Sequence, residues 1–194
     1  MKNKTIFMLA ILMAMFFMFS LVGCDKDKDD QNSNTHTSNY TKFSFTKIGN
    51  QWNYVLVDQN GVVLDSIKRK CLTIDNGKCM VAYSDQFGQM TEYWHYTTDI
   101  FGMYPDESKD YYFKILAANS KVGDILTNED GIQIKVIKAD TLVSSNSKNY
   151  SCFKLEIRYQ GAISNYMYIN PTYGLIRTDD LETGESEVLV STNF

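Results

Sequence analysis

The sequence predicts an all-β body: a single antiparallel domain of about ten to twelve strands, curled into a half-barrel, a barrel or a two-sheet stack. Three observations carry this reading. From Tyr40 onward, short alternating runs rich in tyrosine, phenylalanine and β-branched residues are separated by turn residues. The 194-residue chain holds only 2 prolines, few enough for ladders to run unbroken. The body also echoes itself. Lys47-Ile48-Gly49-Asn50 recurs as Lys121-Val122-Gly123-Asp124, Gly88-x-Met90-Thr91-x-Tyr93-x-His95 as Gly161-x-Ile163-Ser164-x-Tyr166-x-Tyr168, and Phe101-Gly102-Met103 as Tyr173-Gly174-Leu175. Three matches in one order at a near-constant offset imply two similar halves, 42–115 and 116–189, each a meander of about five or six strands. Closure or a second layer follows, because one flat sheet would leave an apolar face and two open edges.

Taken in order, strands are expected near 42–47, 51–58, 61–68, 70–74, 78–83, 89–96, 111–116, 131–138, 151–159, 163–169, 174–179 and 186–192. Asn60-Gly61 and Asn76-Gly77 read as two-residue type I′ hairpin turns, because that pair tolerates the positive φ such a turn demands. The stretch 107–118 reads either as strand or as one short helix. The globular domain therefore spans 40–194.

The N-terminus is organised differently. Lys2 and Lys4 precede an apolar run from Ile6 to Phe19 that is shorter than the roughly 20 residues a bilayer span needs, so residues 1–23 read as a removed signal peptide. Leu21-Val22-Gly23-Cys24 follows and resembles the lipobox of bacterial lipoproteins. The resemblance implies cleavage between Gly23 and Cys24 and acylation of Cys24 by palmitate-type chains, which would tether the protein to a membrane by its lipid. Several chains at ~0.8 kcal/mol per buried CH₂ make that attachment lasting. Residues 24–39 have the composition of a polar, disordered tether. Its opening, Asp25-Lys26-Asp27-Lys28-Asp29-Asp30, resembles the acidic export signal of Bacteroidota lipoproteins carried to the outer face of the outer membrane. A calcium loop is excluded there, since positions six and twelve hold Asp30 and His36 rather than Gly and Glu. Lys47-Ile48-Gly49-Asn50-Gln51-Trp52-Asn53-Tyr54 and Tyr168-Ile169-Asn170-Pro171-Thr172-Tyr173-Gly174-Leu175-Ile176 are similar to segments of Bacteroidota outer-membrane lipoproteins of unassigned function. That family implies an envelope location and a β-rich fold, and supplies no catalytic residue.

Losing the leader removes two lysines and no acid, so the formal charge moves from −4 to −6. An acidic body without a Lys/Arg cluster argues against nucleic-acid partners. Cys71, Cys79 and Cys152 remain, and three thiols allow at most one internal bridge. A two-residue turn at Asn76-Gly77 pairs 74 with 79 and 71 with 82, which puts Cys71 and Cys79 on opposite faces. Cys71 with Cys152 is then the candidate disulfide. Cys152 is expected beside the charged residues of its strand and Cys79 in the core. No Cys or His pair has metal-ligand spacing, so no metal is expected.

The catalytic inventory is equally thin. The chain has 2 histidines, one of them in the tether, and neither a Gly-x-Ser-x-Gly elbow nor a phosphate loop. The expectation is a protein that is not an enzyme and takes no cofactor. Trp52, Tyr54, Tyr93, Trp94, Tyr96, Tyr104, Tyr111 and Tyr112 are expected mostly in the core. Tyr93-Trp94-His95-Tyr96 is the candidate ligand platform, with Tyr93 and His95 on one face and Trp94 and Tyr96 on the other. Asp65-Ser66-Ile67 and Asp140-Thr141-Leu142 resemble the Asp-Ser/Thr-apolar O-glycosylation site of Bacteroidota, making Ser66 and Thr141 candidate acceptors. Two functions remain open. One is an outer-membrane lipoprotein at the cell surface that binds a glycan, a lipid or an envelope protein complex. The other is a periplasm-facing carrier whose half-barrel cups acyl chains, which would require a continuous apolar cavity.

Overall fold

The computed structural model describes residues 42–194. The leader, Cys24 and the acidic tether lie outside the described residues. The body is all β: β1 (Gln51–Val57), β2 (Val63–Asp75), β3 (Lys78–Asp85), β4 (Gly88–Tyr96), β5 (Ile100–Met103), β6 (Phe113–Ala117), β7 (Ile125–Glu129), β8 (Ile132–Ser145), β9 (Lys148–Tyr159), β10 (Ala162–Asn170), β11 (Gly174–Asp180) and β12 (Ser186–Thr192). All twelve form one antiparallel sheet in the order β6-β5-β4-β3-β2-β1-β12-β11-β10-β9-β8-β7. All consecutive strands pair except β6 and β7, and β1 closes on β12. Only β6 and β7 are left as edges, and Thr127 Oγ1 on β7 donates to the Lys114 carbonyl on β6 at 3.0 Å. The sheet is thus a nearly closed barrel, which leaves little unpaired edge exposed.

The alternation that predicts strands also fills the barrel. Trp52 and Tyr54 of β1, Val81 of β3, Ile134 and Val136 of β8, Leu155 of β9, Ile169 of β10, Ile176 of β11 and Leu189 of β12 are all buried. The expected strand at 42–47 is instead an extended segment without a ladder. Phe43 N–H donates to the Thr98 carbonyl (2.8 Å) and Ser44 N–H to the Pro171 carbonyl (3.0 Å), which drives Phe43 and Phe45 into the core. Phe45 packs edge-on against Tyr96 and Phe101. Gly174 makes room for it: a Cβ there would lie 2.9 Å from the Phe45 ring.

The echo has structural content. Gly49 N–H donates to Cys71 O and Cys71 N–H returns to Asn50 O, while Gly123 N–H donates to Val136 O and Val136 N–H returns to Asp124 O. Each pair opens a six-strand meander, β1–β6 or β7–β12. The 47–54 segment is also bound to the 168–176 segment: Trp52 Nε1 donates to Tyr173 O at 2.9 Å and Tyr54 OH to Leu175 O at 3.1 Å.

Several expectations need correction. The ranges 61–68 and 70–74 are one strand, β2. β5 and β7 are additional, and 107–118 contains strand β6 rather than a helix. Asn76-Gly77 is the predicted tight turn, with φ of 47° and 82° between paired Asp75 and Lys78. Asn60-Gly61 is not. Val57 pairs with Val63, and the longer loop is held by the Asp58 carboxylate, which accepts from Asn60 N–H and Val62 N–H at 2.8 Å each. Those hydrogen bonds hold the Asp58 carboxyl below its usual range.

Candidate functional site

Two regions gather polar and aromatic side chains. The first is inside the barrel. Arg69 points inward from β2 between Ile67 and Cys71, where alternation alone would place an apolar residue. Its Nε donates to Glu92 Oε2 of β4 at 3.1 Å, and its Nη atoms engage the Glu187 carboxylate of β12. Trp94 Nε1 also donates to Glu92 Oε2 at 3.1 Å. The guanidinium lies 5.0 Å from the centroids of both the Tyr54 and Tyr83 rings. Burial opposes its charge, but Glu187 and Glu92 hold the Arg69 pKa above its ordinary value. Burial pushes the Tyr54 and Tyr83 hydroxyls up, so both stay protonated. Arg69, Glu92, Glu187 and the Trp94 indole are partnered with one another, which makes this a structural clamp between strands.

The second region lies on the outer face, over β3–β5. Tyr93 and His95 project outward from β4 and are half-buried. The Tyr112 ring lies over β5 and stacks on His95 at 3.7 Å between centroids and 2° between planes. That position exists because β5 carries glycine opposite His95: a Cβ on Gly102 would sit 2.5 Å from Tyr112 Cδ2. Tyr104 OH is 3.2 Å from His95 Nδ1. Lys78, opposite His95 on β3, sets its Nζ 4.6 Å from the Tyr104 centroid and 5.4 Å from that of Tyr93. Tyr111 beside them is exposed. Burial lowers the His95 pKa from its ordinary value, favouring the neutral ring.

The other half repeats the theme on its outer face. Lys154 of β9 stands opposite Tyr168 of β10, as Lys78 stands opposite His95, and its Nζ lies 3.8 Å from the Tyr166 ring centroid and 5.4 Å from that of Tyr168. Burial, with the Asp179 carboxylate beside it, pushes the Tyr168 hydroxyl up to about 12. Each half therefore carries a lysine laid over two aromatic rings.

The predicted platform is split by these facts. Trp94 is core, 5.3 Å from Trp52 and 5.6 Å from Phe101 between ring centroids, and Tyr96 packs inward on Phe45. Only Tyr93 and His95 face out, and Tyr104 and Tyr112 complete the surface. The sequence signal for these partners was Gly102, whose missing side chain is the space that the Tyr112 ring fills.

The remaining candidate residues are placed as follows. Ser66 is exposed on β2. Thr141 turns its hydroxyl into the protein, where it is buried without a hydrogen-bond partner, so the folded chain does not offer it to a glycosyl donor. Cys152 does not sit among the charges: irregular β8–β9 pairing around Lys138–Thr141 buries Cys152 and Phe153 together. Its thiol donates to Tyr150 O at 3.6 Å, and burial pushes its pKa up to about 12. The predicted faces of Cys71 and Cys79 are also wrong. A bulge between Cys71 and Thr73 pairs Cys71 with Val81 rather than Ala82, returning both cysteines to the interior with their sulfurs 3.1 Å apart. Cys71 thus faces Cys79, not Cys152.

A carrier would need an apolar cavity inside the barrel, and the axis is occupied by Trp52, Tyr54, Phe45, Leu155 and Ile169. One open depression of about 320 Å³ beside β1–β3 has a mixed lining, with Asn53, Ser66, Lys68, Ser84 and Asp85 beside Tyr54, Val55, Ile67 and Val190.

No family model matches the chain, and no curated protein matches it. Among solved structures, the chain is similar to a protein of Bacteroides fragilis described as exported and as having a YmcC-like fold, with a TM-score of 0.52 at 10% identity over 79% of this chain and 100% of that one. A Parabacteroides distasonis protein described as a lipoprotein aligns with a TM-score of 0.47 at 12% identity over 79% of this chain and 99% of that one. At such identity the likeness is one of fold: the twelve-stranded, nearly closed antiparallel barrel described above is a YmcC-like fold.

Proposed function

We propose that this is a lipid-anchored outer-membrane lipoprotein whose barrel displays a glycan-binding surface outside the cell, centred on Tyr93, His95, Tyr104 and Tyr112. The carrying observation is the division of aromatic side chains: one set fills the barrel axis, while a second is held half-exposed on the outer face by Gly102 and the His95–Tyr112 stack. Flat aromatic faces ringed by phenol hydroxyls and a lysine suit sugar rings, whose C–H faces pack on aromatics while their hydroxyls find polar partners. The Leu21-Val22-Gly23-Cys24 motif and the acidic stretch Asp25–Asp30 support the anchor and the outward orientation. A filled interior weighs against the carrier reading.

Three measurements test this. Labelling with an alkyne fatty acid should mark the wild type and not Cys24→Ala. Protease shaving of intact cells should remove a C-terminal tag while a periplasmic control survives. Glycan-array binding by the wild type should drop at least tenfold in the Tyr104→Ala/Tyr112→Ala double variant. A tag cut only after lysis defeats the surface assignment, and array binding unchanged in the double variant defeats the platform.

A further inference from the structure

We propose that Cys71 and Cys79 are a disulfide-forming pair that cross-links β2 to β3 inside the barrel. Both residues are wholly buried, and their Sγ atoms lie 3.1 Å apart, about 1 Å beyond a covalent S–S bond. Cys79 is opposite Ile74, and the bulge between Cys71 and Thr73 sets Cys71 opposite Val81, so the two sit diagonally on one face of adjacent strands. The preset turn at Asn76-Gly77 keeps the intervening hairpin short, so the two thiols meet early in folding. Cys152 is engaged elsewhere, with its thiol on Tyr150 O.

The oxidant is a dithiol–disulfide exchange protein or a small-molecule disulfide of the envelope, and here the inference rests on the export reading above. The Cys71 thiolate attacks one oxidant sulfur and displaces the other as a thiolate, giving a mixed disulfide. The Cys79 thiolate then attacks the Cys71 sulfur and releases the second oxidant thiol. Two electrons and two protons pass to the oxidant, and the chain gains one S–S bond. Because both sulfurs are buried in the folded barrel, this exchange precedes closure.

The sequence makes the test direct. Trypsin cuts after Lys70 and after Lys78, so a Cys71–Cys79 bridge joins two separate peptides, 71–78 and 79–109, while Cys152 leaves on 149–154. The full chain, held in detergent, is reduced, unfolded in urea and refolded in a glutathione/glutathione-disulfide buffer, then quenched with N-ethylmaleimide and digested without reductant. The expected product is 71–78 linked to 79–109, roughly 2 Da lighter than the two thiol peptides summed, with the maleimide on 149–154. Separate maleimide adducts of 71–78 and 79–109, or 71–78 linked to 149–154, would overturn the pairing. The same digest on protein acid-quenched in cells tests the bridge in place: thiols in envelope-fractionated protein overturn it. Recovery in the cytosol defeats the export reading instead and leaves the refolding result to decide the pairing.

Discussion

Arg69 on β2 and Glu187 on β12 meet inside the barrel across β1, so an ion pair joins the first six-strand half to the last strand of the second. Glu92 on β4 completes the set from the other side. A buried charge pair is weak evidence of net stabilisation, but removing one partner is costly because the other stays buried and uncompensated. Arg69→Met leaves two inward carboxylates without a cation and should destabilise the barrel by about 3–5 kcal/mol, read as a fall in the urea midpoint. Adding Glu92→Gln and Glu187→Gln should recover part of that loss. A single-variant cost under about 1 kcal/mol, the range of exposed pairs, would mean that water already screens the cluster.

Gly102 is needed for space, not for backbone conformation. Its φ is not positive, but a Cβ there would lie 2.5 Å from Tyr112 Cδ2 and 2.7 Å from the Phe113 carbonyl. The ring can swing away and the backbone carbonyl cannot do so freely. Gly102→Ala should therefore cost about 1–3 kcal/mol, as overpacking does. It should also unstack Tyr112 from His95, moving the ring-current-shifted His95 proton resonances toward ordinary values. Unchanged His95 shifts would show that the stack does not depend on the glycine.

How much of this was legible follows from what leaves a mark on residue order. Alternation marks faces, so the buried Trp52 and Tyr54, the Tyr93/His95 split from Trp94/Tyr96 and the all-β class were readable. The paired motifs at Gly49 and Gly123 were readable because both need a glycine at positive φ. A bulge has no residue signature, so the one after Cys71 reversed the predicted cysteine faces. β5 and β7 are short, and β5 contains Gly102 while β7 ends in Asn-Glu, so neither shows a strand pattern. Arg69 and Glu92 were missed because they meet across β3 and their third partner, Glu187, lies 118 residues beyond Arg69.

Thr141 offers a test of opposite sign. Its hydroxyl on β8 is buried and has no partner, beside paired Cys152. An unsatisfied buried hydroxyl costs roughly 1–3 kcal/mol, and valine keeps the branched shape while removing it. Thr141→Val should raise stability by about 1 kcal/mol, or ~2–4 °C in Tm for a domain of this size. A loss of stability would place a water at that oxygen.

His95 should give the barrel a pH dependence near neutrality. Burial lowers its pKa in the folded state below the usual value of 6.5. An unfolded chain then binds the proton more readily, and protonation favours unfolding. The contribution of neutral His95 is fully present above about pH 6.5, is lost as pH falls from there through the folded value, and is flat below it. His95→Phe keeps a ring to stack on Tyr112 and cannot titrate, so subtracting its stability-versus-pH curve from that of the wild type isolates this one group from the carboxylates and from His36. The difference should fall as the solution is acidified from pH 7 toward 5. A flat difference, or a wild type that gains stability on acidification, would mean that the His95–Tyr112 stack holds the charged ring as well as the neutral one.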